Sequence, residues 1–475
     1  MDVSNAKELK SIEIYCILKN KLRKERKLMH KIEIRKNGPI EQFEMDVNKF
    51  NILIGEQATG KSTVAKSVYF FRTVKTLMTD YLTQLYDSNS YNNQLQEGIH
   101  IFKAISHDLK SVFIRLFGYS WDLNPDLYLK YEYYDDIWIE ISMYDDHIKR
   151  RRYISVNYSE EMRRQISELQ EEVRQMRNDR MHVTTSLALA NEERKRDYNA
   201  IAQRVNEIFH DDKETYYIPA GRSVLTVLSS SRAMMNSLTN LDLITERFMM
   251  MIDGVREIYN RGVKNAHLYY PRPDRKFNPN KLAEYIVTMQ KGEYFYNNGQ
   301  EELKIQDDEG ETIKINFASS GQQEVLWVLN FLYALLLREE KTFVIIEEPE
   351  AHIYPSLQKD VMDFISMFTQ LGNNEVFITT HSPYVLTTVN NLYYAGVLAS
   401  QGHENQIRKV LEQKSAITKG TLSAYKLLSK EVAGDGERVV SLLQEDGMEI
   451  RADLIDDVSA KINELYTALY NIELS

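Results

Sequence analysis

The hydrophobic pattern of this chain switches between two periods. Lys31-Ile32-Glu33-Ile34-Arg35 alternates apolar and polar residues as a half-buried strand does, Asn37-Gly38-Pro39 supplies a turn, and Phe43 to Val47 returns. Phe50-Asn51-Ile52-Leu53-Ile54 is a near-continuous apolar run, the pattern of a strand covered on both faces. Val64 to Phe71 then continues as a helix. Leu127 to Tyr131 and Ile137 to Ile141 add strands to the first layer, and Tyr216-Tyr217-Ile218 brings the chain back to a buried strand. From 292 to 317 three short β-runs, Tyr294-Phe295-Tyr296, Leu303-Lys304-Ile305 and Ile313-Lys314-Ile315, are joined by Asn298-Gly299 and Glu309-Gly310. Val325 to Leu337 reads as a helix buried on most faces. Thr342 to Ile346 and Glu375 to Thr380 are two more strands of the buried kind.

Between 158 and 208 charge becomes dense and glycine and proline vanish. Ile166, Leu169, Val173 and Met176 recur at helical spacing, and Tyr198, Ile201, Val205 and Ile208 do so again. The second seam falls out of the heptad frame of the first. That predicts two helices folded back as a short antiparallel coiled coil, either an arm or a hairpin packed on the body, with one continuous helix as the alternative. The resulting division is an N-terminal lobe at 1–157, a coiled-coil arm at 158–208, a return strand with a methionine-rich helical insertion at 209–291, a C-terminal lobe at 292–395 and a largely helical region at 396–475.

Residues 1–28 read as an amphipathic helix with a basic tail, Lys21 to Lys27, and Met29 is a second candidate start. With 59 basic and 69 acidic residues, net −10, the 475-residue chain is not built for wholesale coating of nucleic acid, although a local basic groove stays open. A single cysteine, Cys16, excludes an internal disulfide and a cysteine zinc site. No run reaches the length of a membrane span and the N-terminus has no apolar signal core, so a cytoplasmic setting and no membrane partner are expected.

The chemistry concentrates at the ends of the buried strands. Gly55-Glu56-Gln57-Ala58-Thr59-Gly60-Lys61-Ser62, followed by Thr63, is a G-x-x-x-x-G-K-S phosphate loop between a strand and a helix. Gly55 and Gly60 let consecutive N–H groups curl toward phosphate oxygens, Lys61 is placed for the β- and γ-phosphates of ATP, and the Ser62 hydroxyl for Mg²⁺. Ser319-Ser320-Gly321-Gln322 precedes the long apolar helix and offers a second anion-binding helix end, useful to a single ATP if it closes over the nucleotide of a neighbouring subunit. Glu347-Glu348 closes an apolar strand: Glu347 suits the metal, through water, and Glu348 suits the attacking water. His381 ends a further strand, where a neutral imidazole can contact the γ-phosphate. Arg222, at the end of the return strand, faces either the nucleotide or solvent.

In this order the motifs resemble the ABC-type ATPase heads of the SMC, RecF and OLD group. Glu347-Glu348-Pro349-Glu350-Ala351-His352-Ile353-Tyr354-Pro355 is similar to the OLD-type AAA branch of anti-phage defence, with the ATPase subunits of PARIS systems and then Septu- or retron-associated ATPases as the nearest kinds. The resemblance implies an α/β ABC-type P-loop head: a mixed sheet flanked by helices, an antiparallel β-layer and the inserted coiled coil. It also implies ATP with Mg²⁺, slow ATP hydrolysis, and a homo-oligomer in which Lys61 and Ser62 of one copy face Ser320 and Gly321 of another, as a dimeric sandwich or a higher ring, with Thr63, Ser319 and Gln322 also among the nucleotide-binding residues. The implied partners are a separate TOPRIM-type nuclease or toxin subunit and a phage-encoded trigger. Two features depart from the pattern: Glu347 stands where an aspartate is usual, and no glutamine among Gln84, Gln94 and Gln96 is a clear Q-loop residue. Asp453, Asp456 and Asp457 lie in a helical pattern and form no strand-loop D-x-D, so the nuclease is expected on another polypeptide. The rival readings are a RecF- or SMC-like repair ATPase that clamps DNA, and an ATP-binding scaffold with little turnover.

Overall fold

The computed structural model describes residues 30–88, 101–119, 122–146, 151–181, 187–223, 242–306, 310–411, 415–434, 438–444 and 447–451. The predicted N-terminal helix with Cys16, the candidate glutamines Gln94 and Gln96, and the aspartates at 453, 456 and 457 lie outside them.

Five strands make an antiparallel layer: β1 (His30–Asn37), β2 (Ile40–Val47), β4 (Tyr128–Tyr134), β5 (Ile137–Asp146) and β6 (Arg151–Tyr158), in the order β2-β1-β4-β5-β6. Their buried positions alternate, as half-covered strands require. The second sheet is mixed. Its strands β3 (Phe50–Gly55), β7 (Glu214–Ile218), β11 (Thr342–Glu347), β12 (Glu375–Thr380), β13 (Leu422–Leu427) and β14 (Val439–Ser441) run in the order β14-β13-β3-β12-β11-β7. Only β14 is antiparallel to its neighbour. A smaller sheet holds β8 (Gly292–Asn297), β9 (Gln300–Ile305) and β10 (Thr312–Lys314). The Asn298-Gly299 pair turns with both φ positive, +50° and +81°, as a tight hairpin demands.

The mixed sheet divides two cores. Phe343, Ile345, Phe377 and Leu53 face one way, toward α1 (Lys61–Asp87), α2 (Ile101–Phe117) and the antiparallel layer. Val344, Ile346, Val376 and Ile52 face the other way. There they meet α7 (Ser320–Arg338), α8 (Pro355–Gly372) and α9 (Pro383–Ser400), with α5 (Leu243–Val255) and α6 (Pro279–Gln290) beyond. Both faces are covered, so these strands read as unbroken apolar runs.

The 158–208 segment forms two helices, α3 (Glu160–Met181) and α4 (Leu187–Phe209), that pack on each other and on α1. Its seam residues Ile166, Leu169, Val173, Ile201, Val205 and Ile208 are buried in the same core as α1. The hairpin therefore lies against the body rather than standing free of it. The expectation of a largely helical region at 396–475 needs correction. After α9, β13 enters the middle of the mixed sheet beside β3, and β14 pairs with β13. Leu422-Ser423-Ala424-Tyr425-Lys426-Leu427 carries too little β-branched character to announce a central strand. Phe43 and Phe50 are core residues at 1% exposure.

The two sheets are tied by a buried charge cluster. Arg72 of α1 donates from Nη2 to Asp211 Oδ2 at 2.8 Å and from Nε to Thr215 Oγ1 at 3.2 Å, with its guanidinium 3.9 Å over the Phe343 ring. Lys75 donates to the carbonyls of Asp211 and Lys213. His30 of β1 completes it, its Nδ1 2.9 Å from the Tyr131 hydroxyl. Burial would raise the Asp211 carboxyl, but Arg72 and Lys75 outweigh it and hold it at about 2. Burial, and then Arg72, lower the His30 imidazole to about 3. Both groups are depressed in the folded state, so the unfolded chain binds protons the folded chain refuses, and stability falls as pH falls. The His30 share is lost from about pH 6.5 downward and the Asp211 share only below the usual carboxylate range. Melts recorded against pH are expected to decline from about pH 6, with His30→Gln flattening the slope between about pH 6 and 4. Asp211→Asn strands Arg72 and is expected to cost about 3–5 kcal/mol in denaturant unfolding.

Candidate nucleotide site

Parallel register brings the motifs together. Ile54 pairs with Thr380 and Glu347 with Thr379, so the phosphate loop, the second glutamate and the histidine all leave the sheet at one edge. This is the carboxyl end of the strands, where α/β sheets bind ligands.

The loop between β3 and α1 is shaped by close approach. A Cβ on Gly55 would stand 2.5 Å from the Leu427 carbonyl oxygen of β13, and one on Gly60, at φ +104°, would run into Ile40. Thr59 Oγ1 donates to the Glu56 carbonyl at 2.9 Å and fixes the curl. Lys61 Nζ donates to the carbonyls of Gly55 at 2.8 Å and Glu56 at 2.7 Å. Ser62 is exposed at the first turn of α1, Thr63 half-buried beside it. Burial lowers the Lys61 ammonium to about 8, with Glu348, Glu350 and Glu347 opposing the shift.

Lys61 is also one end of a chain. Its Nζ is 3.2 Å from His381 Nδ1, and His381 Nε2 is 2.8 Å from Glu348 Oε1. With the ammonium donating to Nδ1, the imidazole is the neutral tautomer whose Nε2–H donates to Glu348. Glu348 sits at φ +44°, a left-handed conformation that costs a non-glycine residue about 1–2 kcal/mol. Its N–H donates to the Thr379 carbonyl at 2.8 Å. Glu350, which sequence reasoning gave no role, braces the histidine: its Oε1 accepts from the Thr380 hydroxyl at 2.6 Å and the His381 N–H at 2.8 Å.

Glu347 is 7% exposed; its Oε1 and the hydroxyl of the adjacent, buried Tyr217 make no hydrogen bond of ordinary geometry, although the phenol faces that carboxylate. Burial, and then Glu347, push that phenol well above its usual range. Orphaned buried polar atoms of this kind call for a water or an ion. Among the described residues no cluster of three or more His, Cys, Asp or Glu is arranged to hold a metal alone. A carboxylate plus the Ser62 hydroxyl fits Mg²⁺, which keeps waters and takes its remaining oxygens from phosphates.

Ser319 to Gln322 open α7. Ser319 caps α7 in a capping box with Gln322: Ser319 Oγ accepts from the Gln322 N–H at 3.3 Å, and the Ser319 N–H donates to Gln322 Oε1 at 3.1 Å. Ser319 and Ser320 are exposed. Gly321 presses on the loop after β11, where a Cβ would stand 2.8 Å from the His352 carbonyl oxygen. Among the described residues, the side-chain hydrogen bonds of these four run within the cap and to the Gln290 carbonyl, and none reaches the phosphate loop. Arg222 faces neither nucleotide nor solvent; it is wholly buried between β11 and α7. Gln84 is exposed in the last turns of α1.

A family model described as an AAA ATPase domain matches residues 29–386. The chain belongs to the AAA ATPase domain family. Protein ea59 of Escherichia phage lambda is 27% identical over 209 residues, 41% of this chain, so the match spans 37% of that relative's length. Among solved structures, the SMC head bound to the C-terminal winged-helix domain of ScpA is similar over 88% of this chain and 99% of its own, at 10% identity and a TM-score of 0.39. The SMC head domain of Thermotoga maritima covers the same shares at 8% identity and a TM-score of 0.35. Membership of the family implies nucleotide binding; no helix among the described residues is long and apolar enough to cross a membrane.

Phosphates at the loop would recharge Lys61. Nucleotide binding is therefore expected to take up a proton between about pH 8 and 10, with affinity falling as pH rises through that window. Titration calorimetry in buffers of different ionisation enthalpy checks this, and Lys61→Arg is expected to lose the uptake.

Proposed function

We propose that this AAA ATPase hydrolyses ATP slowly in sites shared between two copies, and that it serves as sensor and scaffold for a separate nuclease effector in anti-phage defence. The observation that carries the hydrolytic part is the convergence of Lys61, His381 and Glu348. In this reading the phosphate-loop amides and Lys61 bind the phosphates, Ser62 and Glu347 hold Mg²⁺, and Glu348 orients water and receives its proton. Mg²⁺ neutralises charge on the phosphates when bound. His381, held by Glu350, keeps Glu348 aimed and meets the γ-phosphate once Lys61 turns outward.

Sharing between copies is supported by the exposed Ser319 and Ser320 at the mouth of α7, whose hydrogen bonds within the chain are local. The defence role is supported by the Glu347-to-Pro355 resemblance, and the ATPase scaffold by the family.

Two experiments test the parts. Glu348→Gln is expected to lower kcat by about 10²–10⁴-fold while leaving ATP affinity nearly unchanged; unaltered turnover would remove Glu348 from the chemistry. Lys61→Met and Ser320→Arg, each inactive alone, are expected to restore turnover on mixing, because one shared site then has both halves intact. Failure to complement, with full turnover by dilute monomer, would refute shared sites. For the biological role, co-purification with a nuclease encoded next to this gene supports the scaffold, whereas ATP-dependent, salt-sensitive DNA binding favours a RecF- or SMC-like clamp.

A further inference from the structure

The least expected residue is Arg222. It follows β7 by four positions, yet it is 0% exposed, and its fork is spent on backbone. Nη1 donates to the carbonyls of Pro219 at 2.7 Å and Glu347 at 2.7 Å, and Nη2 to the carbonyl of Glu348 at 2.8 Å. Nε donates to the Glu324 carbonyl at 3.0 Å and lies 3.2 Å from Glu324 Oε2. The Glu324 carboxylate, 0% exposed, also accepts from the N–H groups of Arg222 at 3.1 Å and Ser223 at 3.0 Å. A buried ion pair of this kind is costly unless every donor and acceptor is used, and here the donors go to particular places.

We infer that Arg222 is a positioning residue for Glu348. Glu348 holds a left-handed backbone that it would leave if released. Three bonds keep it there: its N–H donates to the Thr379 carbonyl of β12, and its C=O accepts from the Ala351 N–H at 3.0 Å and from Arg222 Nη2. The first fixes the start of the turn, the Ala351 bond closes it, and Arg222 ties its exit to β7 and α7. Between them the side chain points at His381 Nε2. The neighbouring carbonyl of Glu347 is held by the same guanidinium, so both glutamates are set on one planar group. A guanidinium holds the two carbonyls from separate nitrogens in one fixed plane, whereas a lysine ammonium is a point donor that fixes no such plane. Through Glu324, in the second turn of α7, the clamp also joins this turn to the helix that Ser319 caps. A shift of α7 therefore moves the Arg222 guanidinium, and the guanidinium moves Glu348.

The inference rests on the reading of Glu348 as the group that orients water, and its test separates the two. Arg222→Lys keeps a charge opposite Glu324, and Glu324→Gln keeps an acceptor of the same shape. Both are compared with wild type for thermal stability, for ATP affinity by equilibrium binding and for kcat. The expected result is a split: affinity within about two-fold, kcat down by about ten- to a hundred-fold, as small misplacements of a catalytic group produce. In a Glu348→Gln background, Arg222→Lys is expected to add little further loss, because the two act as a unit. If affinity and kcat fall together with the folded fraction, or if Arg222→Lys costs as much in the Glu348→Gln background as alone, the positioning role is refuted. If Glu348→Gln itself turns over normally, the site reading fails first.

Discussion

Parallel register at one sheet edge is the constraint on which this molecule rests. Four strands far apart in sequence, ending at Gly55, Ile218, Glu347 and Thr380, run the same way and end at nearly the same level. Parallel pairing fixes that level without regard to the residues that follow, so whatever the chain places after each strand is delivered to one spot. The phosphate loop, the buried Arg222 turn, the glutamate turn and the histidine are four such deliveries. Side-chain bonds then lock neighbours together: Lys61 to His381, His381 to Glu348, and Glu350 across to the His381 amide.

The sequence was most legible where physics leaves few choices. Glycine at 55 and 60 is required by a carbonyl and an isoleucine that no Cβ could share space with, and unbroken apolar runs mark strands covered on both faces. What it concealed had weaker local signals. β13 is a central strand made of Leu, Ser, Ala, Tyr and Lys, and its place is set by partners in β3 rather than by propensity. Arg222 was recognisable as an arginine after a strand, but only the folded chain reveals that it spends itself on carbonyls. Glu350 stood within a motif already noted, and its task depends on a histidine thirty-one residues onward. The heptad seam of α3 and α4 was correctly apolar; whether such a seam buries against its twin alone or against a third helix is a tertiary matter.

The buried charges have a common logic. Arg72 of α1 with Asp211 joins that helix to the mixed sheet and, through His30, to the antiparallel layer, and Arg222 with Glu324 joins the sheet to α7. Each pair sits where two layers meet and each guanidinium also binds backbone or hydroxyl oxygens, which offsets the loss of water. Apolar side chains would hold these layers with less risk but without fixing direction. A planar fork specifies angle and register at once.

The late arrival of β13 has a consequence for how the protein is made. β3 is flanked by β12 on one side and β13 on the other, and the Phe50 N–H donates to the Thr421 carbonyl. During synthesis the phosphate-loop strand thus emerges more than three hundred residues before either neighbour, with both edges open and Gly55 lacking the wall that shapes it. The ribosome must pass residue 427 before the nucleotide cradle closes. Nascent fragments stopping short of residue 422 would carry the motif without the pocket, exposing a sticky strand edge that chaperones would have to shield.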